Sequence, residues 1–397
     1  MTVRIPTVST PSTPSVATNL AAPNYDRLLS ALTLGLLILG WIMITSATMP
    51  LGERLQQDAF FYSKRTLLYS GLALPLFLIV LQLPIRFWQR CGASLLLLSI
   101  SLLLLVLLIS PSINGAARWI AIGPLRLQPA ELTKLALPCY LAGYVVRKAQ
   151  ALRQRFWDFC KPLAVMLLLA LLLLAQPDLG SVIVLFITSL VLLFLAGAQV
   201  WQLLAVVASG VLAAGLLIIT APYRLRRVTA FLDPWQDPYG SGYQLTQSLM
   251  AFGRGSYWGQ GLGNGVQKLE YLPAAHTDFI FAIIAEELGF SGALVVFGLL
   301  GLLVARGLWI GRQAWQAGQL YAGFLACAFA VWWSLQIIIN IGATVGTLPT
   351  KGLTLPLISY GGSNLLVMLL SVAMVLRIDF ERRCAQNQGR TGERYGS

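Results

Sequence analysis

The stretch ASLLLLSISLLLLVLLIS, residues 93–110, holds no charged side chain and no turn-forming glycine or proline. It fits the ~17–25 residues that a helix needs to cross a bilayer. Similar runs recur along the chain, as LLSALTLGLLILGWIMI at 28–44 and KPLAVMLLLALLLLA at 161–175. Of 397 residues, 57% are hydrophobic and only 11% charged. In lipid, each backbone polar group must bond within its own segment, which selects helices. The fold class expected is an all-α polytopic membrane protein.

Apolar runs predict ten spans. They are Leu28–Met49, Thr66–Leu83, Ala93–Ser110, Ala130–Val146, Pro162–Gln176, Asp178–Ala196, Trp201–Ala221, Asp278–Ala305, Leu320–Val345 and Leu355–Arg377. The spanning domain is 28–377, with a large extracytoplasmic loop at 222–277 between helices seven and eight. The tails, 1–27 and 378–397, are expected to be disordered; the first is rich in Ser, Thr and Pro. An even number of spans leaves both termini on one face. The loops at 84–92 and 145–161 and the tail at 377–390 are basic, which places them and both termini in the cytoplasm. The formal net charge of +13 is scattered through short loops, so it reads as topology and not as a nucleic-acid surface. None of the five cysteines falls in an outer loop, and one histidine without a CxxC pair excludes a zinc site.

Several polar clusters interrupt this apolar pattern. In QPAELTKLALP, Glu131 and Lys134 share one helical face at the start of a span. They read either as a self-neutralising pair or as the polar wall of an outward cavity. Arg118 and Arg126 precede them in a loop with Gly115, Gly123 and Pro124, and arginine forks suit oxyanions such as phosphate. Asp178 in QPDLGS reads best as a helix N-cap. GRGSYWGQGLGNG, 253–265, lacks the spacing of a phosphate-binding motif and reads as tight turns. YQLTQSLMAF predicts a short amphipathic helix lying at the outer membrane surface. LPTKGLTLPLISYGGSN, 348–364, predicts a re-entrant turn with Lys351 over an outward cavity, followed by Ser359 and paired glycines.

AAHTDFIFAIIAEELGF, 274–290, holds His276 and three acids. Asp278 is expected in the first turn of a span, where the helix dipole favours an anion; Thr277 or Asp278 could equally be a plain cap. Glu286 lies roughly 12 Å deeper and points about 80° away, with Glu287 on the opposite side. At least one of these glutamates must pack against another helix.

GAARWIAIGPLRLQPAELTK, QPDLGS, DPWQDPYGSGYQLTQSLMAFGRG, GLGNGVQKLEYLPAAHTDFIFAIIAEELG and LPTKGLTLPLISYGGS together resemble the SEDS proteins (shape, elongation, division and sporulation). The likeness runs in order from the first span to the last. LPTKGLTLP and QLTQSLMAFGRG look like the division member rather than the elongation member. The resemblance implies ten transmembrane helices and a peptidoglycan glycosyltransferase that polymerises lipid II at the septum, releasing undecaprenyl diphosphate. It maps an essential acid onto Asp278, a functional pair onto Glu131 and Lys134, and further site residues onto Arg126, Glu270 and Lys351. Ala274 stands where the family often carries an acid, and Asn364 where it often carries serine.

On this reading Asp278 is the general base. Arg126, Lys134 and Lys351 face the leaving diphosphate, Glu131 orients Lys134, and Arg118, His276 and Ser359 are further substrate-binding candidates. A divalent cation, Mg2+ or Mn2+, is expected, with Asp278 and Glu270 as its candidate ligands, and no organic cofactor. The resemblance further implies a class B penicillin-binding protein and other divisome proteins as partners, in the bacterial inner membrane at the division site. A lipid II flippase, an elongation-type polymerase and a non-catalytic division scaffold are the competing readings.

Overall fold

The computed structural model describes residues 24–109, 118–123, 125–154, 156–220, 229–349 and 352–395. The expected N-terminal tail, Gly115, Pro124 and Lys351 therefore fall outside the described residues, apart from the tail's last few positions. Ten long helices follow the predicted order: α1 (Arg27–Gln56), α2 (Phe61–Gln82), α3 (Ile85–Ile109), α4 (Pro129–Gln154), α5 (Phe156–Ala175), α6 (Leu179–Leu195), α7 (Val200–Ile219), α9 (Ile280–Gln316), α10 (Leu320–Val345) and α11 (Gly362–Tyr395). The shorter α8 (Tyr243–Gly255) lies in the long loop, and an antiparallel hairpin, β1 (Ile120–Ile122) with β2 (Leu125–Leu127), precedes α4. The protein is an all-α polytopic membrane protein carrying this one small hairpin among its described residues.

Seven of these helices are long and apolar enough on their own to cross a membrane. α4 carries Glu131, Lys134, Arg147 and Lys148, and α6 is a 17-residue helix. Packing explains how these two hold their place. α4 lies against α3, α6 and α10, and α6 against α5 and α10. α10 and α11 form the centre, where Phe329, Trp332, Trp333 and Met368 are sealed from the surface. Leucines of α2, α3, α5 and α7 face outward instead, as a lipid-exposed helix requires.

Local chemistry sets the boundaries. Asp26 caps α1 by accepting from Leu29 N at 2.7 Å. Gln57 ends that helix in the left-handed region, with its N–H returned to Glu53 O. Asp178 caps α6, accepting from Ser181 N at 3.1 Å and Ser181 Oγ at 2.7 Å. Two boundaries differ from expectation. α11 starts at Gly362 and not at Leu355, because 352–361 is an irregular segment buried in the protein. It also runs on to Tyr395, through residues expected to be a disordered tail. Here the charged side chains are paired: Asp379 bonds Arg382 at 2.7 Å and Arg383 at 2.6 Å.

Those pairs belong to a network that fixes topology. The carboxylate of Asp26 also holds Arg306 at 2.5 Å and Arg383 at 3.1 Å. The start of α1, the second half of α9 and the end of α11 therefore share one face. The opposite face gathers the end of α1, the hairpin and the start of α9, with Arg54 paired to Glu270.

Candidate functional site

α9 is not one continuous helix. Gly289 sits at φ 73° and ψ −175°, which breaks the hydrogen-bond ladder. The carbonyls freed there are taken up by the loop after α8: Gln260 N donates to Glu286 O and Gly261 N to Glu287 O, each at 3.0 Å. In return Phe290 N donates to Ser256 O at 2.8 Å. A Cβ on Gly289 would stand 2.3 Å from Gly259 N, so the crossing demands glycine. The glycine run 253–265 is thus a backbone joint to α9, which agrees with the turn reading and leaves no phosphate cradle.

Both glutamates serve this joint. Glu286 and Glu287 have no exposed surface. Glu286 accepts from Val266 N at 3.0 Å and Gln267 N at 3.1 Å. Glu287 accepts from Lys268 Nζ and Ser46 Oγ at 2.7 Å each and from Gly263 N at 3.0 Å. Buried carboxylates persist when paired and hydrogen-bonded in this way. α8 forms as expected, but it packs on protein. Its Ser248 donates to Thr344 O at 2.7 Å, and Gly255 presses onto the backbone of Ala285 in α9.

The joint holds the preceding turn, 274–279, at the mouth of the bundle. Asp278 is half-buried there, one residue before the cap of α9; it lies outside the first turn, contrary to expectation. The cap position is Phe279, which makes no side-chain capping bond. Asn340 of α10 pins the turn, its Nδ2 donating to Asp278 O at 2.9 Å and Leu353 O at 2.7 Å. This brings the 352–361 segment alongside: a Cβ built on Gly352 would be 3.4 Å from Asp278 Oδ2. Ser359 ties the same two strands of chain together. Its Oγ donates to Thr277 O at 2.6 Å and accepts from Leu355 N at 2.8 Å. Ser359 thus holds the turn in place, and its hydroxyl is spent on backbone.

His276 faces two tyrosines, its ring centroid 5.5 Å from Tyr62 and 5.6 Å from Tyr360. Burial lowers its pKa to about 4, so the ring is neutral at neutral pH. The Arg65 guanidinium lies 6.0 Å from the Tyr69 ring centroid, and Tyr69 bonds the Arg126 backbone, so the two arginines border the same patch. Arg126 is exposed and held by its backbone: its N–H donates to the Tyr69 hydroxyl at 3.0 Å, and its carbonyl accepts from Ser363 Oγ at 2.9 Å. Ser363 lies in the first turn of α11, whose positive end therefore abuts Arg126.

Four candidates lie elsewhere. Lys134 is sealed in the core, its Nζ 2.8 Å from Glu131 Oε1, while Glu131 Oε2 accepts from Asn364 Nδ2 at 3.1 Å. The pair joins α4 to α11 beneath the mouth, because the first turn of α4 faces α11 rather than the outside. Asn364 thus fills a structural place that serine, one bond shorter, would reach less easily. Arg118 donates to Gln176 O at 2.8 Å and Pro177 O at 2.5 Å, so its guanidinium closes the α5–α6 turn. Glu270 pairs with Arg54 at the end of α1. Among the described residues no three His, Cys, Asp or Glu side chains gather as a metal cluster.

Sequence reading missed Arg65, Tyr62 and Asn340, and gave Tyr360, beside Gly361 and Gly362 in the quoted loop, no role of its own. None of the first three lies in a glycine-rich motif. An arginine just before an apolar run and an asparagine inside one were the available signals.

The chain is similar to known proteins over most of its length. The cell cycle protein family FtsW/RodA/SpoVE matches residues 26–384. A probable peptidoglycan glycosyltransferase FtsW of Escherichia coli O6:H1 is 58% identical over 364 residues, covering 92% of this chain and 88% of its own. Its counterpart from Moranella endobia is 56% identical, covering 92% and 96%. Among solved structures, a chain from a peptidoglycan synthase complex, studied for how it coordinates polymerization and crosslinking, is 32% identical. It superposes with a TM-score of 0.73, covering 90% of this chain and 98% of its own. The rod shape determining protein RodA of Thermus thermophilus is 30% identical with a TM-score of 0.67, covering 90% and 97%.

Proposed function

This chain belongs to the FtsW/RodA/SpoVE cell cycle protein family, and from that premise we propose that it is a division-type peptidoglycan glycosyltransferase that polymerises lipid II. The observation that carries the reading is the mouth itself. A carboxylate on a pinned turn, an aromatic wall and two arginines beside a helix N-terminus sit together at one end of a membrane bundle. The greater identity to division-type relatives than to RodA supports the division role.

The substrate places a disaccharide-peptide outside the membrane and a polyprenyl diphosphate at its surface. Asp278 takes the proton of the acceptor's GlcNAc 4-hydroxyl as that oxygen attacks the donor's anomeric carbon. The new C–O bond forms as the bond to undecaprenyl diphosphate breaks, with inversion. A positioned base of this kind contributes about 10²–10⁴-fold. Arg126 and Arg65, with the N-terminus of α11, offset charge on the departing diphosphate. The His276, Tyr62 and Tyr360 rings, inclined to one another by 45°, 59° and 83°, give the sugars an uncharged aromatic wall. Glu131 and Lys134 position the start of α11 and so act through Ser363 and Asn364.

Mg2+ characteristically takes one or two carboxylates together with substrate phosphate oxygens, and a mouth with one carboxylate at Asp278 fits that donor set. Such an ion would neutralise diphosphate charge. Glu270, the other sequence candidate, pairs with Arg54. Location in the bacterial inner membrane at the division site, with a class B penicillin-binding protein and other divisome proteins, follows from the same reading.

The test is glycan polymerisation from purified lipid II, with and without a transpeptidase whose own active site is inactive. Long strands from the wild type and none from Asp278→Asn are expected. Equal polymerisation by Asp278→Asn would remove the base assignment. Transport of lipid II across vesicles without polymerisation would replace the enzyme reading with a flippase.

A further inference from the structure

A groove of about 650 Å³ runs between α1 and the loop 262–269. That lies within the ~300–1,000 Å³ typical of ligand pockets. One wall is a single face of α1, formed by Trp41, Ile42, Thr45, Ser46, Met49 and Pro50. These positions extend for about 13 Å along the helix, inside its apolar stretch. Leu262, Val266 and Leu269 form the opposite wall.

The floor is polar but charge-neutral. Lys268 Nζ donates to Gly263 O and Glu287 Oε1 at 2.7 Å each and to Ser46 Oγ at 2.9 Å. These three bonds use all three ammonium donors. The lysine therefore has no capacity left for a phosphate, and what the groove offers a ligand is apolar surface. It also adjoins a smaller cavity beside the mouth. Trp41 lines both this groove and a small cavity bounded by Ser359, Tyr360, Thr66 and Tyr69. One indole thus separates the groove from the chain that holds Asp278.

We propose that the groove between α1 and the 262–269 loop seats the polyisoprenoid tail of a lipid-linked substrate while its head group occupies the mouth beside Asp278. The proposal rests on the glycosyltransferase reading for the identity of the head group. A long tail leaving the mouth must pass into hydrocarbon, and this groove gives it an apolar path of membrane depth that begins one side chain away. The neutralised floor excludes a competing anionic head.

The probe is lipid II with a diazirine in its tail, reacted with the full-length protein in nanodiscs and mapped by mass spectrometry. Labels on residues 41–50 and 262–269, displaced by unlabelled lipid II, are expected. Ile42→Trp and Leu269→Trp add bulk at two exposed positions, so they fill the groove while sparing the core. Both variants should raise KM for long-tailed lipid II by about tenfold, with kcat changed less than about twofold and a short-tailed analogue unaffected. Labels confined to other helices, labels that unlabelled lipid II does not displace, or an unchanged KM would overturn the proposal. A diazirine phospholipid labelling the groove despite excess lipid II would assign it to bilayer lipid instead. Photolabelling needs no turnover, so a wild type that labels here but makes no glycan would fail the polymerase reading alone.

Discussion

Lys268 shows what a single charge does at this depth. Its ammonium compensates Glu287, with the two side chains 6% and 0% exposed. Removing one partner of a buried pair typically costs about 3–5 kcal/mol, because the other is left uncompensated. Lys268→Met is therefore expected to lower the thermal midpoint in detergent sharply. The double variant Lys268→Met/Glu287→Leu should lose less than the single one, which a paired melting series will check. His276 gives a prediction in pH. Its folded pKa of about 4 lies below the ordinary 6.5. Between those values the unfolded chain binds the proton and the folded one does not, so stability falls as pH drops from about 6.5 to about 4 and levels off below. His276→Asn should flatten that part of the midpoint-versus-pH curve. The place of Asp278 beside the start of α9 was legible because an acid at a span's edge stands out. The fate of Lys134 was not: three-residue spacing fixes a shared face but not which neighbour the face meets.

Among the elements, α9 carries the largest gap between sequence and structure. Its apolar pattern reads as a continuous span, and glycine is common in membrane helices, so Gly289 gives no local warning. The break depends on a loop thirty residues earlier that supplies the missing donors. A Cβ at Gly289 meets backbone on the loop and forces a residue into a region that is essentially glycine-only. Gly289→Ala is expected to lower the yield of monodisperse protein and to expose the 256–265 loop to protease, read by limited proteolysis. The order of the ten long helices was legible from the apolar runs, since lipid imposes the same rule on every crossing. The start of α11 was not, because LPLISY is as apolar as a span. It stays irregular since Asn340 and Ser359 satisfy its backbone, and such support comes from partners distant in sequence.

Across the whole molecule, the two faces are held by different means. The mouth relies on pinned irregular chain, while the opposite face closes through ions around Asp26. Asp26→Ala removes the α1 cap together with the partner of Arg306 and Arg383. It should destabilise the protein by about 3–5 kcal/mol, seen as a lowered midpoint with the basal rate per folded molecule preserved. Basic loops mark this face in the sequence, but they do not show that it is tied shut.

That tie has a consequence for biogenesis. Asp26 and Arg383 are 357 residues apart. At about 5–20 residues per second, the ribosome delivers the second roughly 20–70 s after the first. Arg306 arrives earlier, 280 residues behind Asp26. The carboxylate therefore waits for its first cation until the eighth long helix is being made, and gains its second only once Arg383 follows. Closure of this face is a late event, and a nascent chain stalled before residue 383 would hold only the Arg306 contact.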